Sequence, residues 1–322
     1  MTIPHQVGPE IDQGGSPRGD LLSQQGFDEL FDRLKQWHTF PEHVERGALN
    51  WITPEVVKHA AGLVHHGIVI PTALPLNKIP GPDNNKPALH FMTEMTDREG
   101  EPGCNKDFIG LDFHGKAVSH LDALTHITYR GMIFGGRTSR DVVSTLGTTW
   151  AGVDTLGPIV TRGVLLDIAR FRNVKWLEPG EAVTKEEILE YEAWSGVSID
   201  TGDCVLLRSG HFARRNSLGA WNPDSAAAGL DVSAMELFHE RKISVLGGDG
   251  DSDVRPSRVA NVDSPIHVLA LTAMGIPLLD NLDLELLGQV CETNKTKTFM
   301  AIIAPLNVPG GTGSPINVVG VL

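Results

Sequence analysis

The sequence predicts a single α/β domain built on a mixed β-sheet. Apolar, β-branched runs typical of buried strands recur along the chain, for example at residues 163–168, 203–208 and 243–249. Few helices lie between them, and neither an internal repeat nor a linker divides the 322 residues. Because residues 1–19 are polar and rich in Gly, Pro and Gln, we expect a flexible arm at 1–25, followed by one domain at 26–322.

Capping residues mark the starts of two predicted helices. Thr53 precedes Pro54, the usual order of an N-cap and a first helical residue. Thr184 has Glu187 three positions later, which is a capping box. Together with the spacing of apolar residues, these signals predict helices at 26–37, 54–64, 184–194, 232–241 and 264–274.

Short apolar runs bounded by turn residues predict the strands. The long Pro-rich loop at 71–87 is expected to be functional or a lid. The glycine-rich segment at 309–317 lacks the lysine and the spacing of a phosphate-binding loop, so its glycines are expected to let the backbone approach another segment. Strands are predicted at 67–70, 88–95, 107–113, 163–168, 203–208, 243–249 and 299–304, with a glycine-hinged hairpin at 129–136.

Composition excludes several classes of function. With 41% hydrophobic and 21% charged residues, the chain is typical of globular proteins. Its formal net charge of −13 opposes binding to nucleic acid and to anionic membranes. No run reaches the roughly 18 apolar residues of a membrane span. The N-terminus does not resemble a signal peptide, and the three cysteines lack CxxC spacing, so we expect reduced thiols and a cytoplasmic protein.

The richest group of metal-ligating side chains lies between His114 and His126. His120 and Asp122 are two residues apart, so on an extended segment both side chains leave the same face. His126 follows Asp122 by four residues, about one helical turn. Imidazole and carboxylate together bind divalent ions such as Zn²⁺ or Mn²⁺. A His-x-Asp pair alone is more often a surface hydrogen bond, but His126 lies among apolar residues, where a polar group needs a partner such as a metal ion.

Other candidate residues have structural explanations beside their functional ones. His211 follows a predicted strand, where binding residues gather, although a solvated loop histidine explains it equally well. Trp51, Phe134 and the loop at 71–87 are candidate walls of a substrate pocket, although aromatic residues are more often in the core.

The acidic run Asp249-Gly250-Asp251-Ser252-Asp253 begins like a Ca²⁺-binding loop. Ala260, however, stands where such a loop carries its bidentate glutamate, and the run follows a predicted strand instead of a helix. We therefore exclude a Ca²⁺ site of this type.

Residues 119–126, Ser-His-Leu-Asp-Ala-Leu-Thr-His, resemble the motif His-x-Gly-Thr-His-x-Asp-x-Pro-x-His of the cyclase family of metal-dependent hydrolases. That family includes bacterial kynurenine formamidase and isatin hydrolase. The likeness extends over most of the chain beyond residue 45. Residues 50–54, 246–256, 265–267 and 311–317 resemble the longer members of the family. The resemblance implies a swivelling β/β/α fold and hydrolysis of an amide or lactam by metal-activated water.

Carried onto this sequence, the resemblance gives roles to individual residues. His120 and Asp122 match metal ligands, and His126 matches the catalytic histidine. His267 matches a further ligand downstream, and Asp280 falls near the position at which the formamidase has a glutamate ligand. These roles are what the resemblance implies.

The chain departs from the motif at three positions. Lys116 stands in place of the first histidine, Val118 in place of the glycine and Leu124 in place of the proline. The binuclear site of the formamidase uses that first histidine, so we expect one divalent ion, Mn²⁺ or Zn²⁺, with a second ion as the less favoured alternative. His114 could substitute for the missing histidine, or it could contact the substrate.

We therefore expect a hydrolase that cleaves the C–N or C–O bond of a small amide, cyclic imide, lactam or lactone. A metal-activated water would attack the carbonyl and His126 would carry the proton. Two alternatives stay open: a metal-dependent cyclase or dehydratase without net hydrolysis, and a non-catalytic binding protein with a degenerate site. The expected partners are a small-molecule substrate and further copies of the chain in a homodimer or homotetramer, without nucleic acid or membrane.

Overall fold

A nine-stranded mixed sheet forms the centre of the protein. The computed structural model describes residues 21–96, 100 and 102–322. Within these residues the strands are β1 Val69–Pro71, β2 Leu89–Glu94, β3 Lys106–Gly110, β4 His120–Asp122, β5 Met132–Ile133, β6 Arg137–Thr138, β7 Val143–Ser144, β8 Gly147–Thr148, β9 Ile159–Asp167, β10 Ala182–Val183, β11 Cys204–Arg208, β12 Gly229–Leu230, β13 Val245–Gly248, β14 Leu278–Asp280, β15 Thr298–Ile303, β16 Gly313–Pro315 and β17 Val319–Val321.

The middle of the sheet is parallel and its two sides are antiparallel. Strands β9, β11, β13 and β14 are parallel neighbours. On one side β15, β17 and β1 continue the sheet, and on the other side β4 and β16 do so, all in antiparallel pairing. β11 and β13 are buried on both faces, which explains their continuous apolar sequence. The predicted mixed sheet in one α/β domain is confirmed.

The predicted helices form, with small shifts of their ends. Thr184 caps its helix by accepting a hydrogen bond from the backbone N–H of Glu187, and Thr53 caps another in the same way. The described helices are α1 Gln24–Leu34, α2 Pro54–Ala61, α3 Ser139–Val142, α4 Val153–Leu156, α5 Ile168–Phe171, α6 Lys185–Ser195, α7 His211–Leu218, α8 Ser233–Arg241, α9 Pro265–His267 and α10 Glu285–Thr293, with a 3₁₀-helix at Val44–Trp51 and a π-helix at Val268–Met274.

Two of the segments described in the sequence analysis take a different form, and helices α7 and α10 and strand β14 were not predicted. The helix predicted at 264–274 begins as α9 and continues as the buried π-helix directly after His267. The glycine-rich segment at 309–317 contains a strand, β16, which pairs with β4. This pairing is the backbone approach that its glycines were expected to allow.

Most of the predicted N-terminal arm lies outside the described residues. Its described part makes ordered contacts: Leu22 forms a parallel bridge with Val259, and the side chain of Ser23 accepts a hydrogen bond from the N–H of Gly26 at the start of α1. No helix in the described part of the chain is long and apolar enough to cross a membrane.

The carboxyl ends of the parallel strands gather acidic and basic side chains at one edge of the sheet. β9 ends in Asp167, which is in register with Arg208 at the end of β11. Asp249 follows β13, and Asp280 ends β14. β4 runs antiparallel beside β14, and this places His120 opposite Asp280. Binding sites of α/β sheets form at this kind of edge.

Candidate metal centre

Strand β4 carries His120 and Asp122 on the same face of the sheet, as their spacing predicts. Asp280 is the cross-strand partner of His120 on β14. His267, at the end of α9, also approaches Asp122 and Asp280. All four side chains are buried, with relative exposures of 1–6%. We call His120, Asp122, His267 and Asp280 the His/Asp cluster.

The ligand-type atoms of the His/Asp cluster converge. Nε2 of His120 lies 3.5 Å from Oδ1 of Asp122 and 3.9 Å from Oδ2 of Asp280. Nε2 of His267 lies 3.2 Å from Oδ2 of Asp280 and 3.6 Å from Oδ2 of Asp122. Atoms that bind one divalent ion at about 2.0–2.2 Å lie at similar separations from each other.

Partners outside the His/Asp cluster hold both histidine rings. Nδ1 of His120 lies 2.8 Å from the carbonyl oxygen of Val118, which can only accept a hydrogen bond. Nδ1 of His267 lies 2.6 Å from Oδ2 of Asp253. In the neutral form of each ring, donation of the Nδ1 proton to these acceptors leaves a free electron pair on Nε2, which faces the cluster. Metal-binding histidines are oriented in this way. When His267 is protonated, its Nε2 instead donates to Oδ2 of Asp280, 3.2 Å away.

Asp122 and Asp280 fit a metal ion because three of their four carboxylate oxygens lack a hydrogen-bond partner in the described part of the chain. Both carboxylate oxygens of Asp122 and Oδ1 of Asp280 have no hydrogen-bond partner among the described residues. A buried carboxylate left unpaired costs several kcal/mol, roughly, and a divalent cation between these oxygens removes that cost. The donor set of imidazole nitrogen and carboxylate oxygen suits Mn²⁺ or Zn²⁺.

His114 and His126 form a second group with Asp122. Nδ1 of His114 is 2.8 Å from Oδ1 of Asp122, and Nε2 of His126 is 3.8 Å from Oδ2. The two imidazole rings stack, with centroids 3.9 Å apart and planes 4° from parallel. Both side chains are partly exposed, at 21% and 25%, so this group faces the accessible side of the centre.

The electrostatics of the centre favour a bound cation. Burial raises the pKa of Asp122, but the surrounding His120, His114, His126 and His267 outweigh it and lower that pKa well below its ordinary value. Burial lowers the pKa of His267, yet the carboxylates of Asp280 and Asp253 raise it well above its ordinary value. A positive charge is therefore stabilised at this ring, whether it is a proton or a metal ion.

His126 has the opposite environment. Burial lowers its pKa to about 4, although the nearby Asp122 raises it. The ring is therefore neutral at neutral pH and able to accept a proton, which is what a general base requires.

Lys116 does not take the place of a ligand. Its ammonium group forms an ion pair with the buried carboxylate of Asp251, which also accepts two hydrogen bonds from Arg255. Burial lowers the pKa of Lys116, but the neighbouring carboxylate of Asp251 outweighs this effect and raises the pKa above its ordinary value. The side chain therefore stays charged. The charge of Lys116 is paired with Asp251, next to the His/Asp cluster, and stabilises the buried carboxylate of that residue.

His211 lies near Lys116 at the sheet edge but belongs to a different set of contacts. It begins α7, and its ring packs on Trp221 with centroids 4.6 Å apart. The carboxylate of Asp249 accepts hydrogen bonds from the backbone N–H groups of Ser209, Gly210 and His211. Burial lowers the pKa of His211 to about 4. The imidazole ring of His211 is therefore neutral and buried, and it lies close to Asp251.

A cavity of about 820 Å³ lies next to Lys116. Its walls come from the Pro-rich loop, from Lys116 and Ala117, and from Phe212 and Arg215 of α7. The loop predicted at 71–87 thus contributes a cavity wall through residues 74–83. Lys116 and Ala117 are among the residues that line the cavity, whereas the histidines of the centre are not.

The structure separates Trp51 and Phe134 from the centre. The ring of Trp51 packs on Phe40 and Lys242, and Lys242 precedes β13, whereas the centre lies beyond the carboxyl end of that strand. Phe134 is fully buried in the hydrophobic core and contacts Gly275. Both aromatic residues therefore serve packing, the structural alternative considered for them.

Sequence reasoning missed three residues that hold the centre together. Asp253 orients His267, Asp251 neutralises Lys116, and Thr312 places its hydroxyl 2.9 Å from Nε2 of His114. The run Asp249-x-Asp251-x-Asp253 was the available signal for two of them. Its three carboxylates have three different partners: backbone N–H groups for Asp249, Lys116 for Asp251 and His267 for Asp253. They do not point at one shared site, as the ligands of a Ca²⁺ loop would.

Comparison with known proteins gives a family and a set of structural neighbours. A family model described as "Putative cyclase" matches residues 39–252. A solved structure described as a novel cyclase superposes with a TM-score of 0.80 at 24% identity, over 91% of this chain and 99% of that chain. No curated protein sequence matches the chain significantly.

Two isatin hydrolases share the fold. Isatin hydrolase A from Ralstonia solanacearum has a TM-score of 0.57 at 23% identity and covers 83% of this chain and 97% of its own. Isatin hydrolase A from Labrenzia aggregata, bound to benzyl benzoate, has a TM-score of 0.56 at 21% identity. The superposition covers 81% of this chain and 94% of that chain. At these identities the likeness shows a common fold.

Proposed function

The chain belongs to the cyclase family, and from this premise we propose that it is a metal-dependent hydrolase of a small amide, cyclic imide, lactam or lactone. The observation that carries the proposal is the convergence of three buried, ligand-type side chains, His120, His267 and Asp280, on the buried Asp122, whose two oxygens have no hydrogen-bond partner among the described residues. The isatin hydrolases that share the fold support this class of reaction by analogy.

We propose one divalent ion, Mn²⁺ or Zn²⁺, held by His120, Asp122 and His267, with Asp280 beside them. When bound, such an ion acidifies a water molecule and polarises a carbonyl group. The positive charge of Lys116 close to Asp280 supports a single ion, because it already compensates part of the negative charge of the acidic residues.

His126 is the proposed proton carrier. Its neutral ring accepts a proton at Nε2 from the water while the water oxygen bonds to the carbonyl carbon. As the C–N or C–O bond then breaks, the ring returns the proton to the leaving nitrogen or oxygen. The stack on His114 and the nearby Asp122 hold the ring in place for both transfers.

The test joins metal analysis of the purified protein to a hydrolysis screen over formanilides, cyclic imides, lactams and lactones. We expect about one Mn or Zn per chain and turnover of at least one class. His120→Ala should lose the ion, and His126→Ala should keep the ion but lose turnover. A wild-type protein that neither retains nor takes up a divalent ion would overturn the proposal, and product analysis would separate hydrolysis from ring closure.

We also propose that the protein forms a homodimer or homotetramer. The hairpin of β2 and β3 is exposed along both strands and carries apolar residues, among them Phe91 and Phe108, whose rings stack 5.1 Å apart. An isolated two-stranded hairpin is marginally stable in water, and exposed apolar patches of this kind mark contact surfaces. A second copy of the chain that covers this hairpin accounts for both features.

A further inference from the structure

The cavity beside Lys116 is built on the same segments as the metal centre. The backbone N–H of Leu74, one of its lining residues, donates a hydrogen bond of 2.9 Å to Oγ of Ser119, which directly precedes His120. Lys116 also lines the cavity, and its ammonium group interacts electrostatically with Asp280 of the His/Asp cluster. A molecule held in the cavity therefore lies next to the centre.

Most of the cavity wall is apolar. The Pro-rich loop contributes Leu74, Leu76, Ile79 and three prolines, and Ala117 and Phe212 add further apolar surface. The volume of about 820 Å³ falls within the roughly 300–1,000 Å³ that is typical of small-molecule sites. The cavity is therefore suited to an apolar body such as an aromatic or alicyclic ring.

The charged side chains of the wall favour an anionic group on that body. Three cationic and two acidic side chains line the cavity, in a chain whose formal net charge is −13: Lys78, Lys116, Arg215, Asp83 and Asp283. Both acidic groups already accept hydrogen bonds, Asp83 from Arg215 and Asp283 from the backbone N–H of Glu285. Lysine and arginine carry several donors each, so the wall has donors to spare while its carboxylates are engaged.

Arg215 presents the free end of its guanidinium group. Its Nε donates a hydrogen bond to Oδ2 of Asp83, a residue that is only 7% exposed. The terminal nitrogens Nη1 and Nη2 make no hydrogen bond within the described part of the chain, and the side chain is 28% exposed. Two terminal N–H groups match the two oxygens of a carboxylate, and bidentate pairs of this kind are strong and directional.

Helix α7 directs Arg215 and its neighbour Arg214 to different surroundings. Phe212, Arg215 and Asn216 are spaced three and four residues apart, so they share one face of the helix, and all three line the cavity. Arg214 instead pairs with Glu178 and lies over the ring of Trp221. The helix therefore supplies a matched arginine that does not line the cavity.

We propose that this cavity holds the unreactive part of the substrate and that this part is an apolar group bearing a carboxylate. Arg215 binds the carboxylate through Nη1 and Nη2, and Asp83 is its positioning residue. The inference rests on the proposed hydrolase function and deepens it, because it narrows the substrate class to carboxylate-bearing amides, cyclic imides, lactams or lactones.

The experiment measures the binding of two matched pairs of probes to the purified protein by isothermal titration calorimetry. Each probe is a ketone in place of the scissile bond: 4-acetylbenzoate with 4-acetylbenzamide, and 1-indanone-5-carboxylate with 1-indanone-5-carboxamide. In at least one pair the carboxylate should bind about 10- to 100-fold more tightly than the amide, as expected for hydrogen bonds between charged groups. Arg215→Gln should remove this preference, and Arg215→Lys, which keeps the charge but not the fork, should retain part of it.

The control is Arg214→Gln, which should keep the preference of wild type. Asp83→Leu should lower the preference several-fold, and Asp83→Asn, which keeps an acceptor oxygen for Nε, should restore most of it. Circular dichroism of each variant establishes that the fold is intact. This rescue separates positioning of the guanidinium group from a packing defect.

Two results would overturn the inference: equal affinities within both pairs for the wild-type protein, or a preference that Arg215→Gln leaves unchanged. Failure of the proposed function gives a different result, because binding of the probes requires no turnover. A carboxylate preference that depends on Arg215 in a protein without metal or turnover would support the subsite and overturn the function. Turnover without any preference for carboxylates would do the reverse.

Discussion

The Nδ1 atom of His267 lies 2.6 Å from Oδ2 of Asp253, so a carboxylate outside the His/Asp cluster fixes a ring inside it. Asp253 is in turn held by the backbone, because its Oδ1 accepts a hydrogen bond from the N–H of Ile266. The pair therefore ties the ligand face of α9 to the segment that follows β13. This relationship leads to the first of four predictions.

Asp253→Asn should weaken metal binding by about 10–100-fold, because a neutral amide makes the His267 ring less basic and orients it less firmly. The measurement is isothermal titration of the metal-free protein with Zn²⁺ or Mn²⁺. Asp263→Asn, on an exposed residue of the same region, is the control and should match wild type. Equal affinity in both variants would contradict the role given to Asp253.

Lys116→Met should destabilise the fold by about 1–3 kcal/mol, because it leaves the buried carboxylate of Asp251 with Arg255 as its remaining cation. Metal content should not fall, since the ammonium group is not a ligand. Denaturant unfolding monitored by tryptophan fluorescence measures the free energy of unfolding, and elemental analysis measures the metal content. In a double-mutant cycle, Asp251→Asn should remove most of the effect of the Lys116 substitution. Loss of metal from Lys116→Met would show that the lysine acts directly on the centre.

Gly313→Ala should lower both the melting temperature and the metal affinity. A Cβ atom at this position would meet the carbonyl oxygen of Leu121 at 2.4 Å and Cε1 of His114 at 2.9 Å, and the backbone contact cannot be relieved by a side-chain rotation. Gly115→Ala is a matched control on the loop that precedes β4, because its nearest contact would be at 4.0 Å. If Gly313→Ala behaved like Gly115→Ala, the close packing of β16 against the centre would be disproved.

Replacing Phe91 and Phe108 together by Ser should shift the protein toward the monomer in light scattering coupled to size-exclusion chromatography. The two rings belong to an exposed hairpin, so the substitutions remove apolar surface without opening the core. Leu146→Ser, at a residue that is 95% exposed elsewhere, is the control and should leave the assembly unchanged. An unaltered oligomer in the Phe91/Phe108 variant would exclude the hairpin as the interface.

Local signals predicted the parts of this molecule that depend on neighbouring residues. The capping box of Thr184 and Glu187 forms as expected, and the apolar runs at 203–208 and 243–249 are central buried strands. The two-residue spacing of His120 and Asp122 placed them correctly on one face of a strand. In each case the physical cause, a cap or an alternation of side chains, acts within a few residues.

The missed contacts depend on strand pairing between distant segments. Thr312 reaches His114 only because β16 pairs with β4, and the register of that pairing is not visible in the sequence of either strand. The positions of the aromatic residues could not be predicted for a related reason. Trp51 and Phe134 have side chains suited to either a core or a pocket, and the tertiary packing that decides between them is non-local.

The contact between Thr312 and His114 spans 198 positions of sequence, and it has a consequence for biogenesis. A nascent chain that has emerged from the ribosome only through β14 carries all the histidines of the centre but lacks the residue that contacts His114. The contact between Thr312 and His114 is therefore among the last contacts of the centre to form during synthesis. Chains that stop before residue 312 would carry every motif histidine but lack the hydroxyl group that contacts His114.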